Sequence, residues 1–207
     1  SDFAITTAVQ DALTGAGIPF QSDIAQVSYF TNDLTTETSG VDLVVTYNMD
    51  WSGGNTVLSM AGNWNDTEIK DRVNRGTAAS PTYFINDESK FDNENGDPSY
   101  RLNLSARHTT GDDVTYSLRA NLYGPYKNAN NSDLDKIQEY GRVMQWDGDV
   151  SWDLSDEYRL TFGINNIFDT MPDIDTVGET CCGRTYRSDS VMDWQGTYYY
   201  VRGQISF

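Results

Sequence analysis

Strict alternation of apolar and polar side chains, sustained for about ten residues at a time and repeated along the chain, limits the fold more than any other feature. In 100–107, Tyr100, Leu102, Leu104 and Ala106 alternate with Arg101, Asn103, Ser105 and Arg107. Successive side chains of an extended strand point to opposite faces, so such a segment has one greasy side and one wet side. The pattern recurs in 41–49 (Val41, Leu43, Val45, Tyr47, Met49), 56–64 (Thr56, Leu58, Met60, Gly62, Trp64) and 114–122 (Val114, Tyr116, Leu118, Ala120, Leu122). It returns in 144–154 (Met144, Trp146, Gly148, Val150, Trp152, Leu154), 158–164 (Tyr158, Leu160, Phe162, Ile164) and 197–207 (Tyr199, Val201, Gly203, Ile205, Phe207).

The connections sort into two kinds. Short turns fall at 50–54, 110–112 and 155–156, whereas long polar segments occupy about 68–98, about 127–138 and the stretch before about 195. The segments therefore read as hairpins. Including an extended region before Val41 that begins near Gln26, the expectation is an all-β chain of about seven strands. Residues 8–13 form the one expected helical turn, inside a loop.

Three features favour a transmembrane barrel over a soluble sandwich. Strands of about ten residues match a tilted bilayer crossing, whereas soluble strands more often have about five or six. Short and long connections alternate, as expected where one rim faces the periplasm and the other the exterior. The wet face carries Arg101, Arg107, Arg119, Arg159 and Arg202 beside Asp42, Asp147, Asp149 and Asp153, which a dry core would have to desolvate. An ordinary antiparallel sheet with solvent-facing charges satisfies the periodicity too, and a secreted or periplasmic acidic β-sandwich that binds carbohydrate is the alternative reading.

Composition removes other classes. No run reaches the ~20 apolar residues of a spanning helix, and residues 1–20 lack the basic start and apolar centre of a signal peptide. A formal charge of −17, from 31 acids against 14 bases, argues against nucleic acid. Cys181 and Cys182 are adjacent, which fits neither a zinc spacing nor a redox Cys-x-x-Cys. A disulfide is expected, either vicinal or to cysteines outside this chain. The single histidine, His108, falls beside a short turn, where a structural role is expected, and nothing suggests a nucleophile with its base. Neither enzyme activity, cofactor nor metal is expected. The acids Asp92, Glu94 and Asp97 lack the full calcium-loop pattern and read as solvated charge.

Gly163-Ile164-Asn165-Asn166-Ile167-Phe168-Asp169 resembles the Asn-Leu-Phe-Asp signature of TonB-dependent receptors, with Asn165, Asn166, Phe168 and Asp169 as the matching residues. That signature precedes a loop and a final strand ending on Phe, and 197–207 has that form. Tyr29-Phe30-Thr31-Asn32, Ser39-Gly40-Val41-Asp42-Leu43 and Gln138-Glu139-Tyr140 are also similar to the family, so the resemblance covers about 26–207. It implies the last seven or so strands of a barrel of about 22, with 1–25 as a loop or short helical segment on the extracellular side. It further implies the outer membrane of a Gram-negative bacterium and import of a scarce nutrient: a siderophore, cobalamin or carbohydrate-like ligand. The implied partners are a plug and the preceding strands, the TonB complex through that plug, the lipid bilayer and the assembly machinery. Since plug and early strands are not in this sequence, the chain is expected to be a fragment, a split subunit or an incompletely represented receptor.

On that reading Tyr199, Val201, Gly203, Ile205 and Phe207 form a C-terminal assembly signal, recognised by strand addition. Trp64, Trp146, Trp152, Tyr47, Tyr158 and Tyr199 are candidates for the interfacial aromatic girdles. Ligand contacts are expected near the outer rim from Tyr123, Tyr126, Tyr140, Trp194 and Tyr198, whose rings suit stacking on a substrate.

Overall fold

A computed structural model describes residues 2–4, 11, 14–17, 26–28, 32–74, 77–129, 134–176, 184–187 and 190–207. Cys181 and Cys182, and nearly all of the helical turn expected over 8–13, lie outside the described residues. The chain divides into two compact units, Ser1–Thr35 with Lys70–Asn86 and Thr36–Ile69 with Asp87–Phe207.

In the first unit β1 (Asp2–Ala4) pairs antiparallel with β2 (Gln26–Ser28). Here Arg72 lies over the Tyr83 ring at 4.3 Å and donates from Nη1 to the Ile85 carbonyl at 2.9 Å. An Asn74–Tyr83 bridge closes the same loop.

The main sheet consists of β3 (Leu34–Trp51), β4 (Gly54–Arg72), β5 (Tyr100–Thr109), β6 (Val114–Tyr123), β9 (Val143–Asp153), β10 (Tyr158–Asn165) and β11 (Tyr198–Ile205). Its seven strands are ordered β11-β10-β9-β6-β5-β4-β3, with β3 and β11 at the edges. Each registered pair is antiparallel. The number of strands agrees with the alternation, but their bounds differ at the start. Leu34 to Gly40 continue β3, and Gln26–Ser28 pairs with β1 outside this sheet. The difference arises because Thr35, Thr36, Thr38 and Ser39 are polar on both faces, so the strand continues without a period-two signature there.

Register shows that the greasy positions share one face. Leu58 lies opposite Ala106, Ala106 opposite Leu118, Leu118 opposite Gly148, Gly148 opposite Ile164 and Ile164 opposite Tyr199. Arg107, Ser117, Asp149, Gly163 and Tyr200 form the matching row on the other face. At that last pair a side chain on Gly163 would overlap the Tyr200 ring, so the glycine makes room for the aromatic ring to lie across β10.

Among the described residues no second layer covers the greasy face. Leu118 is 43% exposed, Phe162 55% and Val201 66%, and among the described residues no large side chain is fully buried. The buried apolar residues are few, and three of them, Tyr126, Ala129 and Tyr140, sit beyond the sheet in a small hairpin. That hairpin, β7 (Tyr126–Ala129) with β8 (Ile137–Tyr140), keeps the register of β6 with β9: Tyr123 opposes Val143 and Tyr126 opposes Tyr140. It is an arm prolonging one ladder past the sheet.

The polar segment 68–98 contains one helix, α1 (Asp87–Asn95). It has no apolar stripe, hence no helical period to read. Asp87 and Glu88 in the first turn suit the helix dipole, and Lys90 pairs with Glu94 at 3.3 Å. Acids fix its position: Glu94 accepts from the Ile69 amide at 2.8 Å and Asp92 from the Ala129 amide at 2.7 Å. Asp97 pairs with Arg101 at 3.5 Å. The three acids considered for calcium thus face separate protein partners.

Candidate functional site

The polar face of β6, β9 and β10 carries a ladder of opposite charges and amides. Arg119 pairs with Asp149 at 3.3 Å. Arg159 binds both carboxylate oxygens of Asp153, through Nε and, at 2.8 Å, through Nη2. Between them Ser151 and Thr161 share a hydrogen bond at 2.8 Å. Cross-strand placement of opposite charges follows from the register, and the arginines of both pairs remain partly exposed to solvent.

At the loop end of this face lies the segment Asn165 to Asp169. Asn166 is buried, with φ of 52°. Its backbone amide donates to Asp147 Oδ1 at 2.8 Å, its Nδ2 donates to the Thr170 carbonyl at 2.7 Å, and its Oδ1 accepts from the Thr170 amide at 2.8 Å. Asp169, also in the left-handed region, accepts from the Thr197 amide at 3.0 Å, while Thr197 Oγ1 donates to the Asn166 carbonyl at 2.8 Å. Gly196 has φ of +73°, and a Cβ there would press on Asp169 Oδ1. Phe168 meets Trp146 edge-on at 6.4 Å. Asn165 and Asn166, with Phe168 and Asp169, therefore form a knot that ends β10 and ties the segment entering β11 to β9.

Beside the knot is a polar cleft of about 220 Å³, lined by Gln145, Asp147, Asn165, Asn166, Asp193, Gln195, Gly196 and Tyr198. Asp147 is organised rather than free: Oδ1 also accepts from Gln145 at 3.0 Å, and Oδ2 accepts from Asn121 at 3.3 Å. Amides, carboxylates and an exposed aromatic ring supply donors, acceptors and a stacking surface.

The five aromatic candidates fall in different surroundings. Tyr198 lines the cleft and lies nearly parallel to Tyr200, with centroids 6.4 Å apart. Trp194, between two cleft residues in sequence, is 43% exposed and packs edge-on against Tyr186 at 6.3 Å. Tyr123 is half-buried, with Arg101 at 5.9 Å from its ring. Tyr126 and Tyr140 stack on each other at 4.7 Å inside the arm, and both are buried. Tyr140 also donates to Asp175 at 3.3 Å; burial first, and then the Asp175 carboxylate, push its phenol up to about 12. Gln145, Asp193 and Gln195 were not singled out by sequence, because only the register and the knot bring them together.

No family model and no curated protein matches the sequence. A solved structure to which the chain is similar is the ferric yersiniabactin uptake receptor of Yersinia pestis, at 17% identity and a TM-score of 0.48. The likeness covers 85% of this chain and 24% of that receptor, so the chain spans about a quarter of the receptor's length.

Proposed function

We propose that this chain forms part of the barrel of a TonB-dependent outer-membrane receptor, with its greasy face against lipid and its wet face toward an enclosed, plugged interior. One observation carries the reading. Within the alternating segments the greasy face has no Asp, Glu, Lys or Arg and most of its large side chains are exposed, while the opposite face holds the ion pairs. A water-soluble sandwich would cover such a face with a second sheet, whereas a bilayer covers it without protein. Exposed Trp64 and Tyr199 toward the loops, with Tyr47, Trp152 and Tyr158 toward the turns, suit the two interfaces.

The proposed receptor imports a scarce nutrient, of siderophore, cobalamin or carbohydrate-like class, and partners the plug, the preceding strands and the TonB complex. The cleft beside Tyr198 is the proposed ligand-contacting part of this chain, with Trp194 and Tyr123 nearby in the same reading. Tyr126 and Tyr140 contribute by shaping the arm that frames it.

A charge placed on either face tests this. Leu118→Arg puts a cation against lipid and should cost about 2–4 kcal/mol of membrane stability, whereas Ser117→Arg, on the wet face between Asp149 and Arg107, should cost clearly less. Heat-modifiable migration of the outer-membrane protein reads both. Equal folding of the two variants, or a wild-type protein monodisperse without detergent, would overturn the proposal.

A further inference from the structure

The chemistry of the cleft beside the knot narrows what it can hold. Its lining has four carboxamides, two carboxylates and one phenol, and among the described residues no Lys, Arg or His. At about 220 Å³ it is smaller than the roughly 300–1,000 Å³ of clefts that enclose drug-sized ligands, so it suits one ring of a larger molecule. Asn165 lies opposite Tyr198, and the Asn166 amide reaches Asp147, so the wet-face positions of β9, β10 and β11 meet here across roughly 10 Å at 4.8 Å per strand.

Some of these groups are committed and others are not. The Asn166 amide is spent on Thr170, and Asp147 already accepts from three N–H donors, those of Asn166, Gln145 and Asn121. The side-chain amides of Asn165 and Gln195 have no hydrogen-bond partner among the described residues. Each presents donors and an acceptor side by side, which matches neighbouring hydroxyls that both donate and accept. Tyr198 is 54% exposed, and the negative face of its ring attracts the weakly positive C–H groups on the flat side of a sugar. An anionic ligand would meet two carboxylates without a cation. For a cationic one the attraction is small, because Asp147 is satisfied within the protein and Asp193 is exposed to water.

We infer that this cleft binds one uncharged pyranose ring of a carbohydrate, stacked on Tyr198 and held through its hydroxyls by Asn165 and Gln195. The inference narrows the receptor reading above and rests on it for the side from which the sugar arrives.

The test uses the whole protein that carries this chain, in a detergent without a sugar head. Methyl glycosides of glucose, galactose, mannose and xylose are titrated by saturation-transfer NMR beside glucuronate and glucosamine. At least one neutral glycoside should bind, with both charged sugars at least tenfold weaker. Tyr198→Leu and Asn165→Ala should each weaken that binding about three- to tenfold, whereas Ser105→Ala, opposite Arg119 and outside the cleft, should leave it unchanged. Heat-modifiable migration shows which variants fold, and if one of the first two does not, the other decides. Wild-type affinity in the folded variants, or a charged sugar binding more tightly than every neutral one, would overturn the inference. A detergent-requiring protein that binds no neutral glycoside would overturn the cleft alone. Neutral-sugar binding that responds to both substitutions in a protein needing no detergent would uphold the cleft and overturn the receptor reading.

Discussion

Asn166 shows how much structure one side chain can organise. Its amide group makes two hydrogen bonds to the Thr170 backbone, its own backbone joins Asp147 and Thr197, and it occupies the left-handed region that asparagine tolerates better than most residues. Asn166→Ala removes the side-chain bonds and adds backbone strain, and should destabilise the folded protein by about 2–4 kcal/mol. Asn166→Gly removes the same bonds but relieves the strain, and should cost less. Urea midpoints in detergent check the order; an alanine variant as stable as wild type would show that the knot contributes little. The motif was visible in the sequence as a resemblance, but its work was not. Reading Asn165, Asn166, Phe168 and Asp169 in order gives no sign that Asp147, nineteen residues earlier, is the partner.

Among elements, the main strands were legible because their two faces differ in polarity, as in Tyr100 to Arg107. Those not legible were held by specific hydrogen bonds instead. Helix α1 is polar apart from Phe91 and is fixed by Asp92 and Glu94 accepting from backbone amides. The arm hides in a polar segment because its burial comes from Tyr126 against Tyr140 and from the 173–176 segment alongside it. Gly141 donates to Asp173 at 2.6 Å and Thr176 to Gln138 at 2.7 Å. This arrangement has a pH signature. With its phenol raised from 10.0 to about 12, Tyr140 stays protonated in the folded arm at pH values where the unfolded chain has released the proton. The associated stability is present below pH 10 and is lost as pH rises toward 12. Wild type should therefore lose more of its urea midpoint than Tyr140→Phe between those limits, and parallel losses would refute the coupling.

For the whole molecule, the edge strands matter most. β11 presents Tyr199, Val201, Gly203 and Ile205 on the greasy face, with Phe207 continuing the alternation. An unpaired edge ending this way offers both backbone groups and side chains to a partner that adds a strand. If the chain belongs to an outer-membrane barrel as proposed, deleting Phe207 should lower the yield of membrane-inserted protein several-fold, by weakening capture through strand addition. Normal amounts of heat-modifiable protein in the deletant would refute that role.

The pairing of Gly163 with Tyr200 bears on how such an edge finds its place. A strand sliding by two residues keeps its greasy side outward, so polarity alone does not penalise the error. The tyrosine ring does, because its bed exists only over the glycine; moved to Thr161 or Asn165 it would strike a side chain. The last strand thus carries a detent, a notch and its pawl, which selects one position from several of equal greasiness.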